Sequence, residues 1–307
     1  MQTLTEAGWM GWVQVGLLAG GLVWALVCVV LLGLKVKVPP VIAVAPLLAH
    51  AVVVAAGGSW FSRLVSGAHG LAPDQRSSWI ATGVSGMLSH GVLAAAAIPT
   101  AFLLLLGGVF AGARGRRKWG AAVLVFVVGG GVALVPLGSL LSHGELALAA
   151  GRFVVYGLAV LPLAASMIGA HPNDNSREGG IVAAAAFATL VGACEIVVFS
   201  SSWERVFSAI AMADTASRVK LLEAGAAEIA ALQTYTWVAL VLASIPGFVA
   251  LFRPPAELTD EEIMSSVTSP SAVRWFGGAL ALAVPVAWAI ALLCVDPAGI
   301  MAMIVAK

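Results

Sequence analysis

The chain has 307 residues, of which 61% are hydrophobic and only 10% are charged. A soluble domain of average composition carries about 25% charged residues, so this composition predicts a protein of the lipid bilayer. The formal net charge of +1 gives no basic face for a phosphate backbone and argues against nucleic-acid binding. Because the sequence contains no catalytic triad, phosphate-binding loop or zinc motif, we expect no enzyme, no metal and no cofactor.

Eight apolar segments follow one another along the chain, and each can cross a hydrocarbon core of about 30 Å as a helix. No segment alternates apolar and polar residues with the period of a strand. The sequence therefore predicts an all-α, polytopic transmembrane helical bundle. The predicted spans are 11–34, 39–58, 84–111, 119–141, 153–170, 180–200, 230–252 and 274–295.

Lys and Arg residues in short loops set the predicted orientation. Arg114, Arg116, Arg117 and Lys118 follow the third predicted span within one short loop. Positive charge in such loops favours the cytoplasmic side. We therefore predict a multi-pass protein of the bacterial inner membrane with both termini in the periplasm.

An internal repeat divides the chain into two halves. Residues 45–99 and 187–246 each contain an apolar helix, a polar link with an Asp and an Arg, and a second apolar helix. At an offset of about 142 residues, Arg76 corresponds to Arg218 and Gly83 to Gly225. With four spans in each half the two repeats have the same orientation. The predicted parts are a repeat at 1–142 with its hairpin at 41–111, an outside link at 143–152, and a repeat at 153–307 with its hairpin at 183–252.

The polar links and the prolines predict details of each hairpin. Asp74, which follows Pro73, and Asp214 are residue types that begin helices. Pro99 and Pro246 lie within the helices that follow, where the ring removes a backbone hydrogen bond and favours a kink. Glycines four residues apart, at 16 and 20 and at 108 and 112, favour close approach of helices.

The first hairpin contains four short motifs in a fixed order. They are APLL at 45–48, Pro73 with Asp74 in the polar link, a glycine at 83 and IP at 98–99. The second hairpin keeps Gly225 and the IP pair at 245–246. In this order and topology the chain resembles the MotA/TolQ/ExbB family of proton-channel subunits. The hairpin motif comprises Pro46, Asp74, Arg76, Gly83, Pro99, Asp214, Arg218, Gly225 and Pro246.

The resemblance implies a subunit or accessory of an ion-driven motor or transport complex. Such a subunit works in an oligomer, either of its own kind or around a single-span partner that brings an essential carboxylate. The chain also departs from the family. Val53 and Ile196 fall where the family has its pore threonine, and residues 35–40 leave only a tight turn where it has a cytoplasmic domain. A proton path needs polar groups or water, so these departures suggest a subunit that does not conduct.

Few polar side chains occur within the predicted spans. His50, His90 and Glu195 lie at similar predicted depths, and Thr234 and Thr236 keep hydroxyl groups in the second hairpin. Ionisable groups at such depth face the bundle interior and need partners. One interpretation is a shared proton-binding site in a self-contained secondary transporter. The other is hydrogen bonding that holds helices together, which also suits a structural membrane scaffold.

Overall fold

The computed structural model describes residues 8–34, 36, 38, 40–67, 90–112, 123, 130–131, 145–169, 175–252 and 270–293. Within this part of the chain there are seven long helices, a short helical segment at 90–95 and no β-strand, so the predicted all-α class is confirmed. The helices are α1 (Gly8–Gly33), α2 (Pro40–Gly67), α3 (Ala97–Gly112), α4 (Glu145–Gly169), α5 (Asn175–Met212), α6 (Thr215–Phe252) and α7 (Pro270–Leu293).

Among the described residues, five helices are long and apolar enough to cross a membrane. Their apolar stretches are Trp12–Gly33, Pro40–Gly57, His90–Ala111, Gly179–Val206 and Glu223–Val249. The spans predicted at 153–170 and 274–295 fall on α4 and α7, whose apolar stretches are shorter, at Gly151–Leu161 and Ala281–Leu293. The span predicted at 119–141 lies almost wholly outside the described residues. Several helices suited to a membrane are therefore present, while a count of eight spans stays a prediction.

Helix α5 forms the centre of the bundle. Between Gly179 and Trp203 every residue except Val197 is buried, because α3, α6, α7 and α2 all pack against this helix. Its sequence is apolar all round and rich in alanine, which suits a helix enclosed by other helices at short distance. α5 is thus an internal helix of the chain.

Glycines bring the neighbouring helices close to α5. A Cβ atom on Gly108 of α3 would lie 2.6 Å from the carbonyl oxygen of Gly179, and one on Gly192 would lie 2.5 Å from the Trp288 ring of α7. The close approach expected at Gly108 is therefore present. At Gly16 and Gly20 a Cβ atom would meet nothing within 4 Å, so these two glycines serve no packing contact among the described residues.

The segment between the two halves becomes helical earlier than predicted. The sequence predicts an outside link at 143–152, but α4 begins at Glu145. Arg152, which the sequence places at the end of that link, is only 4% exposed within the bundle. The reason is that its side chain has a buried carboxylate partner on α5.

The second hairpin has the predicted helix start. α5 and α6 are separated only by Ala213 and Asp214, and the backbone N–H of Ser217 donates to Asp214 Oδ1 at 2.7 Å. A carboxylate in this position satisfies a backbone donor that has no partner within the helix. The corresponding Asp74 of the first hairpin lies outside the described residues.

Prolines affect α2 and α3 in different ways. In front of Pro99 the helix is interrupted by a turn at Ala96, as expected where a proline ring removes a hydrogen-bond donor.

Pro46 lies inside α2 and leaves the Ile42 carbonyl without its usual N–H partner one turn later. The indole Nε1–H of Trp24 in α1 donates to this carbonyl at 3.0 Å. α1 thus supplies the hydrogen bond that Pro46 removes.

Trp24→Phe is expected to lower the free energy of unfolding by about 1 kcal/mol, because it removes this hydrogen bond at a lipid-facing surface. In a Pro46→Ala background the loss should be smaller, since the backbone N–H of the introduced alanine then bonds the Ile42 carbonyl. Unfolding in mixed micelles with increasing denaturing detergent measures both values. An equal loss in the two backgrounds would contradict the compensation.

Candidate functional site

A buried carboxylate on α5 connects three helices. Glu195 is 3% exposed. Its Oε1 accepts a hydrogen bond from the Tyr156 hydroxyl of α4 at 2.8 Å, and its Oε2 accepts one from the Thr236 hydroxyl of α6 at 2.9 Å. Each carboxylate oxygen therefore faces a hydroxyl group of a neighbouring helix.

Arg152 balances the charge of Glu195. Its Nη1 lies 3.8 Å from Glu195 Oε1, and both side chains are 3% exposed. The distance is that of an ion pair without a hydrogen bond, and Arg152 Nε and Nη1 have no hydrogen-bond partner. Arg152 precedes Tyr156 by one helical turn, so both side chains leave the same face of α4. We call Arg152, Tyr156, Glu195 and Thr236 the carboxylate site.

The two threonines predicted for this region have different surroundings. Thr236 is buried and lies within 3.0 Å of the Leu232 carbonyl as well as of Glu195. Its single hydroxyl proton is therefore shared between a carbonyl and the carboxylate. Thr234 is exposed and donates to the Ala230 carbonyl at 3.2 Å. Only Thr236 belongs to the carboxylate site.

Aromatic rings fix α4 against α6 beside this site. Phe153 and Tyr235 meet edge to face, with ring centroids 6.1 Å apart and an interplanar angle of 70°. Such pairs contribute about 0.5–1.5 kcal/mol beyond the area they bury. The chain has two tyrosines, and both lie here, one bonded to Glu195 and one in this ring pair.

A second polar group joins α1, α2 and the residues just before α3. Gln14 Nε2 lies 2.8 Å from His50 Nδ1 and also donates to the Leu93 carbonyl. Because a carbonyl can only accept, Nε2 must be the atom that faces Leu93, which fixes the orientation of the amide. His50 Nδ1 then accepts the second amide hydrogen. The ring hydrogen of His50 consequently lies on Nε2.

His90 lies near this group without a hydrogen bond to it. Its side chain is 3% exposed, and neither ring nitrogen has a partner. A Cβ atom on Gly57 of α2 would lie 3.3 Å from His90 Nδ1. His90 is therefore held against α2, about two turns from His50 along that helix.

The two groups have different partners. Gln14 and His50 bond each other and the Leu93 carbonyl, beside α1 and α2. Glu195 on α5 bonds residues of α4 and α6. No hydrogen bond among the described residues joins His50 or His90 to Glu195. A shared proton site of His50, His90 and Glu195 therefore stays a prediction, because helical depth does not specify the direction of a side chain.

The two groups occupy similar places in the two predicted repeats. Gln14 and Tyr156 are 142 residues apart, which is the offset of the predicted repeat. Each donates to a side chain of the next helix, His50 in the first half and Glu195 in the second. Each group also reaches the third helical segment, at Leu93 and at Thr236.

Sequence reasoning missed Gln14, Arg152 and Tyr156. Gln14 and Tyr156 are uncharged near neutral pH, so a selection of side chains that ionise in that range leaves them out. Arg152 falls at the end of a predicted loop. A useful signal is present in the spacing of Arg152 and Tyr156, four residues apart at the start of an apolar helix, which places a cation and a hydroxyl on one face.

Gly225 and Pro246 of the hairpin motif lie in α6. Gly225 is buried, and a Cβ atom there would lie 2.6 Å from Val206 Cγ2, so it permits close contact between α5 and α6. Arg218 lies in α6, but its side chain is outside the described residues, as are Asp74, Arg76 and Gly83. Ile196, at the position of the family's pore threonine, is 1% exposed in the core.

Comparison of the chain with protein-family models, with curated proteins and with solved structures finds no match. The resemblance to the MotA/TolQ/ExbB family therefore stays a prediction. Fold and composition define the class: an all-helical protein with several helices suited to a membrane. Among the described residues no group of three or more His, Cys, Asp or Glu could hold a metal ion.

Proposed function

We propose that the chain is a proton-translocating integral membrane protein that works as a single chain, with Glu195 as its proton-binding group. The observation that carries the proposal is the buried carboxylate site on the central helix, whose hydrogen-bond and ion-pair partners come from α4 and α6. An ionisable residue at membrane depth is costly and marks a functional site by default.

The carboxylate site couples protonation to helix packing. A proton on Glu195 removes the negative charge opposite Arg152 and turns one acceptor oxygen into a donor. The new O–H group needs an acceptor, but the Tyr156 and Thr236 hydroxyls that face it are donors in the ionised state. One of these hydroxyls must therefore turn its hydrogen away. The contacts of α5 with α4 and α6 therefore differ between the two protonation states, which gives a two-state element for alternating access.

The enclosure of α5 favours a self-contained protein. In a ring of subunits, a pore-lining helix must present one face to its partners. Here α5 is buried on all sides by helices of its own chain, and Ile196 lies in the core. A transport site inside the chain, on α5 and between the two predicted halves, fits this arrangement better than a pore between subunits that is lined by α5.

Proton uptake into liposomes tests the proposal. With an imposed membrane potential and an internal pH-sensitive dye, wild type is expected to take up protons roughly tenfold faster than Glu195→Gln, which keeps the shape but not the charge. Thr234→Val, an exposed change on α6, serves as the control and should match wild type. Wild-type uptake no faster than in empty liposomes would contradict the proposal.

We further propose the bacterial inner membrane as the location, with both termini in the periplasm. The basic cluster at 114–118 supports this orientation. Alkaline phosphatase fused at the C-terminus should be active, whereas the same enzyme inserted at residue 116 should be inactive. The reverse pattern would place the C-terminus in the cytoplasm and contradict the proposed orientation.

A second candidate is a subunit or accessory of an ion-driven motor or transport complex. The duplicated hairpin with its APLL, Gly and IP motifs favours it, and apolar residues of α1 and α2 such as Val23, Val30 and Val52 are exposed on the outside of the bundle. This candidate requires an oligomer or a single-span partner. A monomer without such a partner after purification in mild detergent would contradict this candidate. A structural scaffold, the remaining alternative, would show neither a partner nor proton flux.

A further inference from the structure

Unpaired polar atoms are concentrated between α1, α2 and the segment that leads into α3. Gln14, His50, His90 and Thr100 are each at most 3% exposed. The atoms of these four side chains without a hydrogen-bond partner among the described residues are Gln14 Oε1, His50 Nε2, His90 Nδ1, His90 Nε2 and Thr100 Oγ1. A buried polar atom without a partner costs about 1–3 kcal/mol, so five such atoms in one interface require a hydrogen-bonding occupant.

At one end of this interface a donor and a hydroxyl converge on a glycine. His50 carries its ring hydrogen on Nε2, because Nδ1 accepts from Gln14. A Cβ atom on Gly21 of α1 would lie 3.5 Å from His50 Nε2 and 3.0 Å from Thr100 Oγ1. The Thr100 side chain thus packs directly against Gly21, and His50 Nε2 lies beside this contact.

The other end repeats the arrangement. His90 has one ring nitrogen that donates and one that accepts, and both are unpaired. Its Nδ1 packs against Gly57 of α2. Ten residues separate His90 from Thr100, which corresponds to about 15 Å along a helix, or half of the hydrocarbon core.

We propose that water molecules bind the unpaired atoms of this interface between His90 and Thr100 and give protons access to the middle of the bundle. Water suits the atoms because it both donates and accepts, and a buried water needs two to four polar partners. The segment 90–100 is the start of a stretch long and apolar enough to cross a membrane, so these atoms extend inward from one end of that stretch. Hydration rests on the polar atoms alone, whereas its use as a proton route rests on the proposed function.

Hydroxyl-radical footprinting in isotope-labelled water tests the hydration on the intact chain in lipid nanodiscs. Radicals form from the water itself, so side chains beside buried water are oxidised in place. His50 and His90 are expected to take up label roughly tenfold more than Phe187, an aromatic residue that is equally buried in the apolar core. Labelling of both histidines at the level of Phe187 would overturn the proposal.

Two variants separate this inference from the function of Glu195. Thr100→Val removes one polar partner of the water and should reduce labelling of His50. The control Thr234→Val should leave it unchanged. Equal labelling of His50 in the two variants would overturn the role of Thr100. Glu195→Gln should leave the labelling unchanged, because Glu195 faces α4 and α6. If the histidines are labelled but proton uptake does not depend on Glu195, the hydration holds and the proposed function is refuted. If the histidines are not labelled but Glu195→Gln slows proton uptake, the proposed function holds and the hydration is refuted.

Discussion

Replacing Arg152 by methionine is expected to lower the free energy of unfolding by about 3–5 kcal/mol, because it leaves the buried Glu195 carboxylate without a compensating charge. Both side chains are 3% exposed, so water does not replace the lost partner. Methionine keeps most of the volume and the apolar stem, which limits the loss to the charge itself. Unfolding in mixed micelles, followed by circular dichroism, measures the effect.

A double variant separates charge pairing from packing. Arg152→Met with Glu195→Gln contains no buried charge, and the glutamine still accepts from Tyr156 or Thr236. We expect the double variant to be more stable than Arg152→Met alone, as found where buried ion pairs are replaced together. A double variant less stable than the sum of the two single changes would refute the charge pairing.

Gly108→Ala is expected to cost about 3 kcal/mol, at the upper end for overpacking, because the new Cβ atom meets backbone that cannot rotate away. It would lie 2.6 Å from the Gly179 carbonyl oxygen and 2.8 Å from the Ala183 nitrogen. α3 would have to move away from the central helix α5. The same micelle titration measures the loss.

Gly20→Ala is the matched control for this substitution. A Cβ atom at Gly20 meets nothing within 4 Å, and alanine is favoured over glycine in a helix by up to about 1 kcal/mol. The control should therefore be neutral or stabilising. Similar losses in the two variants would show that helix propensity, not contact with α5, governs both positions.

Much of the fold follows from local sequence. Runs of apolar residues predict the helices, Asp214 predicts the start of α6, and Gly108 predicts a close helix contact, because each depends on residues near in sequence or on backbone sterics. The sequence also singles out Glu195 and Thr236, since polar groups in apolar spans are few.

The partners of these groups could not be predicted in the same way. Tyr156 and Thr236 lie 39 and 41 residues from Glu195, so their contact depends on how α4 and α6 are rotated against α5. Hydropathy gives the depth of a residue but not its direction. Arg152 illustrates the limit, because an arginine at the end of a span is assigned to a loop unless its buried partner is known.

Infrared difference spectroscopy of Glu195 tests the central claim most directly. Spectra of the protein in nanodiscs are recorded in acidic and in alkaline buffer, for wild type, Glu195→Gln and the control Thr234→Val. If Glu195 binds and releases a proton in the folded bundle, wild type and the control show a protonated-carboxyl C=O band that Glu195→Gln lacks. Identical difference spectra for wild type and Glu195→Gln would contradict the account.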